Sequence, residues 1–399
     1  MFYSDEILYK LWLNILCGHN PKTIDKAVKK FGSAEEIYKS DTAYKALLSS
    51  FKLRRVLVSR RSLDKAKELL EYCEQNGISV LGIGDKGYPD RLSKIFCPPQ
   101  VLYVKGELPD IDNLVCVTIV GSRNCPDYCR KFANELAYDL TKSGVVIISG
   151  MALGIDGAAH TGALDAGGVT VAALAGGVDV IYPYAHKNLY NDITESGAII
   201  SERPPTEVGR RGYYQERNRL LVGLSNGVVI AAGSNKSGTS ITARWAISEG
   251  RDLFAVPGKP GDNDAELPNA LIKDSAKLVT SAEDVIEEYI SAYSVEIENG
   301  IKLLGENSES KRKTKRISEW GNAQYELPKE PLKQEINIEK FEGNQRIIVE
   351  YLLNNNDAVH IDEISRDCKI SSAELSFEII QLMMLRVIKE HPGEYYSLN

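Results

Sequence analysis

Four glycine-bearing segments hold the residues best suited to chemistry in this chain. They are Gly121-Ser122-Arg123, Ser149-Gly150-Met151-Ala152-Leu153-Gly154, Gly176-Gly177-Val178-Asp179 and Lys236-Ser237-Gly238-Thr239. Each follows an apolar run and precedes a segment of helical texture. Glycine lets the backbone approach an oxyanion closely, and a helix that begins just beyond it aims unpaired N–H groups and a partial positive charge at the same point. Arg123 can grip phosphate with two parallel hydrogen bonds, and Lys236 adds a mobile point charge. Gly121, Ser122, Ser237, Gly238 and Thr239 supply N–H and hydroxyl donors. The expected chemistry is the binding of phosphate oxygens. A tight strand-to-helix turn with no ligand accounts for any one of these loops, but less readily for four.

Other residues have two readings each. Arg217, Asn218 and Arg219 stand near a predicted helix start. One arginine can face a phosphate while the other pairs with an internal acid such as Glu202 or Asp156. Asp156 reads as a helix N-cap and His160 as an interior histidine. Tyr213 and Tyr214 suit either stacking on unpaired bases or core packing. The loops are not a dinucleotide fingerprint, because Gly150–Gly154 lacks the G-x-G-x-x-G spacing, and not a Walker A loop, because Lys236 precedes Gly238. No nucleophile is tied to His160 and Asp156, and the five histidines and scattered cysteines suggest neither a metal site nor a cofactor. A nucleotide-binding or nucleotide-hydrolysing enzyme, or a nucleotide sensor, is the alternative. Asp179 and Glu202 are the carboxylates that would serve it.

The elements that must position these loops are legible as an alternation. Strands are predicted at 78–83, 101–104, 115–120, 145–149, 169–175, 198–201, 227–232 and 252–256, and helices at 128–142, 155–166, 216–225 and 240–249. Several strands are nearly continuous apolar runs, as strands buried on both faces should be. The pattern predicts an α/β fold with a mostly parallel, Rossmann-like sheet over 76–285, whose ligands bind at the carboxyl ends of its strands.

Residues 1–75 read as a helical domain of helix-hairpin-helix or SAM-like type. Its Gly18-His19-Asn20-Pro21 turn could offer N–H groups to phosphate or touch nothing, and Lys52, Arg54, Arg55, Arg60 and Arg61 form either a basic or a merely solvated face. Residues 286–340 read as a flexible linker. Residues 341–399 read as a winged helix, and Glu374 and Glu378 on its third helix favour a structural or protein-contact role over DNA reading. The net charge of −7 argues against indiscriminate coating of nucleic acid but not against a local cationic groove. The N-terminus is acidic, no apolar run reaches the roughly 18 residues of a membrane helix, and seven cysteines fit a reducing compartment. A cytoplasmic protein is expected.

The motifs over roughly 78–285 resemble those of the DprA/Smf (DNA-processing protein A) family. They are Gly121-Ser122-Arg123, Ser149-Gly150-Met151-Ala152-Leu153-Gly154-Ile155-Asp156 with Ala159-His160, Gly176-Gly177-Val178-Asp179-Val180-Ile181-Tyr182-Pro183, Ser201-Glu202, Arg217-Asn218-Arg219, Ser237-Gly238-Thr239-Ser240, Val256-Pro257-Gly258 and Asn269-Ala270-Leu271-Ile272. The resemblance implies an extended Rossmann fold, binding of single-stranded DNA without sequence preference, homodimerisation, and delivery of DNA to the recombinase RecA during transformation. Four positions depart from the family pattern. Ala231 stands where a glutamate is usual, Tyr214 and Gln215 replace a Phe-Pro pair, and Ser275 replaces a glycine.

Overall fold

The computed structural model describes residues 5–50, 61–310, 341, 343–354, 359–371, 374–375, 378–379, 382, 387–391 and 395–398. The chain divides into two compact units, Met1–Ile317 and Ser318–Asn399.

The first unit is built on nine strands: β1 Ile78–Gly82, β2 Val101–Gly106, β3 Cys116–Val120, β4 Val146–Ser149, β5 Thr170–Ala173, β6 Ala198–Ser201, β7 Gly227–Ile230, β8 Asp252–Ala255 and β9 Lys277–Leu278. Their order in the sheet is β1-β2-β6-β5-β4-β3-β7-β8-β9. From β6 to β9 all neighbours pair in parallel, whereas β2 runs antiparallel to β6 and β1 antiparallel to β2. The fold is therefore α/β with a mostly parallel sheet. Every residue of β3 to β7 is buried, because helices cover both faces of a parallel sheet. The period of two assigns the faces. Cys116 and Val120 pack with Leu220, Leu221 and Leu224, while Val117 and Ile119 pack with Ala133, Leu136 and Leu140.

The eight strands expected from sequence are present within a few residues, and β9 is additional. The helix expected at 216–225 begins earlier, at Arg211, and runs to Leu224. Helix Lys187–Ser196, between β5 and β6, was not anticipated. The linker expected from 286 gives way to helices Glu283–Ile290 and Ser294–Ser310. The second of these lies backbone against backbone on the 144 turn, where a Cβ on Gly300 would meet Gly144 O at 1.8 Å. The rest of that linker, 311–340, falls outside the described residues. Ser275 adopts φ +93°, in the left-handed region where glycine is at ease, so the serine there carries backbone strain.

Among the described residues, the helices that precede the sheet are Asp5–Leu16, Pro21–Phe31, Ala34–Lys39, Asp41–Ser50 and Asp64–Gln75. Asn20 starts the second by accepting from Thr23 N with Pro21 behind it, and Ser33 and Glu36 form a capping box on the third. Ile7, Leu11, Ile37 and Leu47 are buried in one cluster with Val80, Tyr103 and Ile199 of the sheet. Each such side chain contributes about 1.5–3 kcal/mol of burial. Lys10 Nζ donates to Ile83 O at 2.6 Å, and Tyr72 Oη donates to Asp179 at 2.9 Å. The 18–21 turn is not a phosphate cradle. Its N–H groups at Gly18, His19 and Asn20 are bonded to Ile15, Asn14 and Cys17 carbonyls, and His19 O accepts from Arg203 Nη1 at 2.6 Å. Of the basic cluster, only Arg61 lies within the described residues, and it pairs with Asp41 over the Tyr44 ring.

The second unit contains helices Gly343–Asn354 and Ile361–Cys368 and strands β10 Val359–His360, β11 Ile388–His391 and β12 Tyr395–Leu398, ordered β10-β12-β11. β11 and β12 form an antiparallel hairpin. Glu374 N donates to Ser371 Oγ at 3.4 Å.

Candidate functional site

A crevice of about 850 Å3 opens where β3, β5 and β7 end. Its position follows from the sheet order: β3 sits between β4 and β7, where the connection reverses direction, and such switch points leave a gap at the carboxyl edge. Ser122 N donates to Ala232 O at 3.0 Å and Ile155 N to Ser122 O at 3.3 Å, so three loops are tied into one frame. Gly154 permits this approach. Its φ is +78°, and a Cβ there would lie 2.3 Å from Ser122 O.

Among the described residues, four cations, Arg123, Arg211, Arg217 and Lys236, line the crevice against one carboxylate, Asp156. The local charge is thus opposite to that of the whole chain. Arg123 and Lys236 are exposed, with the Arg123 guanidinium 5.0 Å above the Tyr214 ring. Ser237 precedes helix Gly238–Ser248 in an extended conformation, and its side chain does not cap that helix; Ser237 Oγ turns back to Ser234 O at 2.7 Å. An uncapped helix start beside two mobile cations is suited to an anion.

Arg217 is buried at the floor and donates through Nη1 to Ala173 O. Asp156 beside it is also buried. Burial pushes its carboxyl up to about 6, against the pull of Arg217, the Ala152 N–H, Arg123 and the Gly121 N–H. Burial lowers Arg217 in turn. The arrangement offers fixed N–H groups, hydroxyls and cations to phosphate oxygens.

Residues 79–290 match the model of the family described as DNA recombination-mediator protein A. The chain belongs to that family. DNA processing protein DprA of Bacillus subtilis is 38% identical over 224 residues, 56% of this chain and 75% of the relative. Protein Smf of Synechocystis is 26% identical over the full length of both chains. The X-ray structure of DprA from Streptococcus pneumoniae is 32% identical with a TM-score of 0.58, covering 72% of this chain and 99% of that one.

In this family member the structure gathers Gly121, Ser122, Arg123, Arg217, Asn218, Lys236, Ser237, Gly238 and Thr239 around the crevice. Six other expected contacts do not line the crevice. Arg219 is buried in an ion pair with Glu202, because two residues along a helix turn it away from Arg217. Ser149 Oγ donates to Ile119 O at 2.7 Å inside the sheet. Gly150 makes room for the Arg217 guanidinium, and Gly154 makes room for the Ser122 backbone. Gly176 and Gly177 face no crevice; Gly177 lies under the backbone of Pro204 and Pro205, 1.9 Å from Pro204 O to a notional Cβ.

Further expectations also change. Asp156 is not a cap: Gly154 precedes the helix, and Asp156 sits in its first turn. Asp179 pairs with Lys105 and Tyr72, so neither it nor Glu202 lines the crevice. Ala231 does not border the crevice either. It lies on a separate cavity of about 360 Å3 with Tyr128, Phe132 and Val256. His160 is interior and neutral, its Nδ1 at 2.8 Å from Thr170 Oγ1, with burial holding it near 3. Tyr213 is taken by Arg203, 3.7 Å over its ring, whereas Tyr214 reaches the crevice. Sequence reasoning missed Arg211 and Tyr182 as lining residues. The misplaced helix start hid the first, and nothing in the Tyr182-Pro183 pair announced the second.

Proposed function

We propose that the crevice binds the phosphates of single-stranded DNA, with Arg123 and Lys236 as mobile cations, Arg217 as a fixed one, and the start of helix Gly238–Ser248 as the N–H cradle. The observation that carries this reading is the convergence of four cations and an uncapped helix start in an otherwise acidic chain. The names of the family and of its relatives support DNA as the source of those phosphates. Phosphate contacts carry no base identity, so binding is indifferent to sequence.

In the same reading the protein is cytoplasmic, acts as a homodimer without catalysis, protects incoming DNA, and loads a RecA-type recombinase during transformation. The helices of 1–75 serve as a SAM-like domain, 76–285 as the DNA-binding domain, and 341–399 as a winged helix.

The test is binding of fluorescein-labelled oligo-dT at about 50 and about 200 mM salt. Tight, strongly salt-dependent binding that duplex competes poorly and free nucleotides do not compete is expected. Absence of binding at the lower salt overturns the reading. Full competition by a free nucleotide transfers the crevice to a nucleotide ligand.

A further inference from the structure

The lining of the crevice is of two unlike kinds. The exposed Arg123 and Lys236, with Ser122 and Ser237–Thr239, come from the loops after β3 and β7, while the other two cations, Arg211 and Arg217, come from helix Arg211–Leu224. The loop after β5 and the segment before helix Arg211–Leu224 contribute Val180, Ile181, Tyr182 and Val208 instead. In the sheet, β5 is two strands from β3 and three from β7, or about 10 and 14 Å at the usual strand spacing. The apolar end therefore lies a nucleotide's breadth from the phosphate-binding end. A volume of about 850 Å3 also exceeds what phosphate alone needs.

Tyr182 is the open aromatic surface at that end. It is 58% exposed although it borders the crevice. Tyr214 lies 6.2 Å from it at 63°, and Arg123 covers the Tyr214 ring. Arg123 thus joins the two ends, its exposed guanidinium one ring away from Tyr182. Aromatic faces accept any base by stacking, but only where the base is unpaired.

Resting on the function proposed above, we propose that Tyr182 is the base-stacking surface of the crevice, receiving an unpaired nucleobase of any identity while Arg123 and Lys236 hold adjoining phosphates. This contact gives the site its preference for single strands, because a duplex offers it phosphates but no free base face. Tyr184 is a suitable contrast. It is 71% exposed and two residues away, yet it does not line the crevice, and Lys187 sits over its ring.

The experiment compares the full chain's affinity for labelled oligo-dT and for an abasic phosphodiester oligomer of equal length. The parent protein is expected to favour oligo-dT by about tenfold. Tyr182→Ala should bring that ratio close to one, Tyr182→Phe should retain it, and Tyr184→Ala should leave it unchanged. Equal affinity of the parent for both oligomers overturns the stacking role while leaving phosphate binding intact. So does a ratio that survives Tyr182→Ala, or one that Tyr184→Ala lowers as much. Failure of the parent to bind either oligomer removes the function on which the role rests.

Discussion

Arg217 fills the space that a side chain at Gly150 would need: a Cβ at 150 would come within 2.0 Å of Arg217 Nη1. The glycine of the second loop thus seats a buried arginine, and the arginine in turn floors the crevice. Gly150→Ala should push the guanidinium away from Ala173 O. Overpacking of this kind costs about 1–3 kcal/mol. Urea unfolding should show the loss, together with weaker oligo-dT binding; an unchanged midpoint would mean that the arginine has room to move.

Arg123→Ala and Lys236→Ala should each weaken oligo-dT binding by about tenfold, regardless of sequence. Each should also flatten the dependence of log affinity on log salt by about 0.7. Anisotropy titrations over a salt series measure both. A folded double variant with the parental slope would remove these two residues from the DNA path.

Arg219 and Glu202 bear on stability rather than binding. Both are almost wholly buried, so Glu202→Ala strands a cation and should cost about 3–5 kcal/mol. Replacing both, as Glu202→Leu with Arg219→Met, should restore most of it. Oligo-dT affinity of that double variant should equal the parent's, and a loss comparable to that of Arg123→Ala would return Arg219 to the DNA.

Asp156 makes the crevice sensitive to pH. Its carboxyl is raised from the ordinary 3.8 to about 6, so between those values the folded protein binds a proton that the unfolded chain does not. Its contribution to stability is therefore present below about 4 and lost as pH rises to about 6. Protonation also removes the one negative charge among the described lining residues, so affinity for oligo-dT should rise as pH falls through 6. His19, near 4, and His160, near 3, stay neutral there. Asp156→Asn should flatten the binding profile; a profile that keeps its shape would assign it to another group.

Ser275 offers a stabilising change. Its φ of +93° costs a non-glycine residue about 1–3 kcal/mol. Ser275→Gly should raise the unfolding midpoint, by about 1 kcal/mol after the extra chain entropy of glycine is counted. A lowered midpoint would show that the serine side chain holds more than the strain costs.

The strands were legible because buried parallel strands are written as apolar runs, and the crevice was legible because its loops share one sheet edge. What the glycines do was less so. Gly176-Gly177 demands close approach, but the sequence does not say to what, and the neighbour is the 204–207 backbone rather than phosphate. Arg217 and Arg219 must point apart on any helix, yet choosing between them needs the position of Glu202. The helix Ser294–Ser310 hid within a polar stretch because its apolar residues Val295, Ile297, Ile301, Leu303 and Leu304 alternate with charged and small polar ones.

The helices before the sheet share their buried cluster with β1, β2 and β6. That seam makes the region a poor candidate for exchange between relatives. A graft that brought a foreign set of helices would have to match Val80, Tyr103 and Ile199 at once, so this part of the chain is expected to be inherited together with the strands it covers.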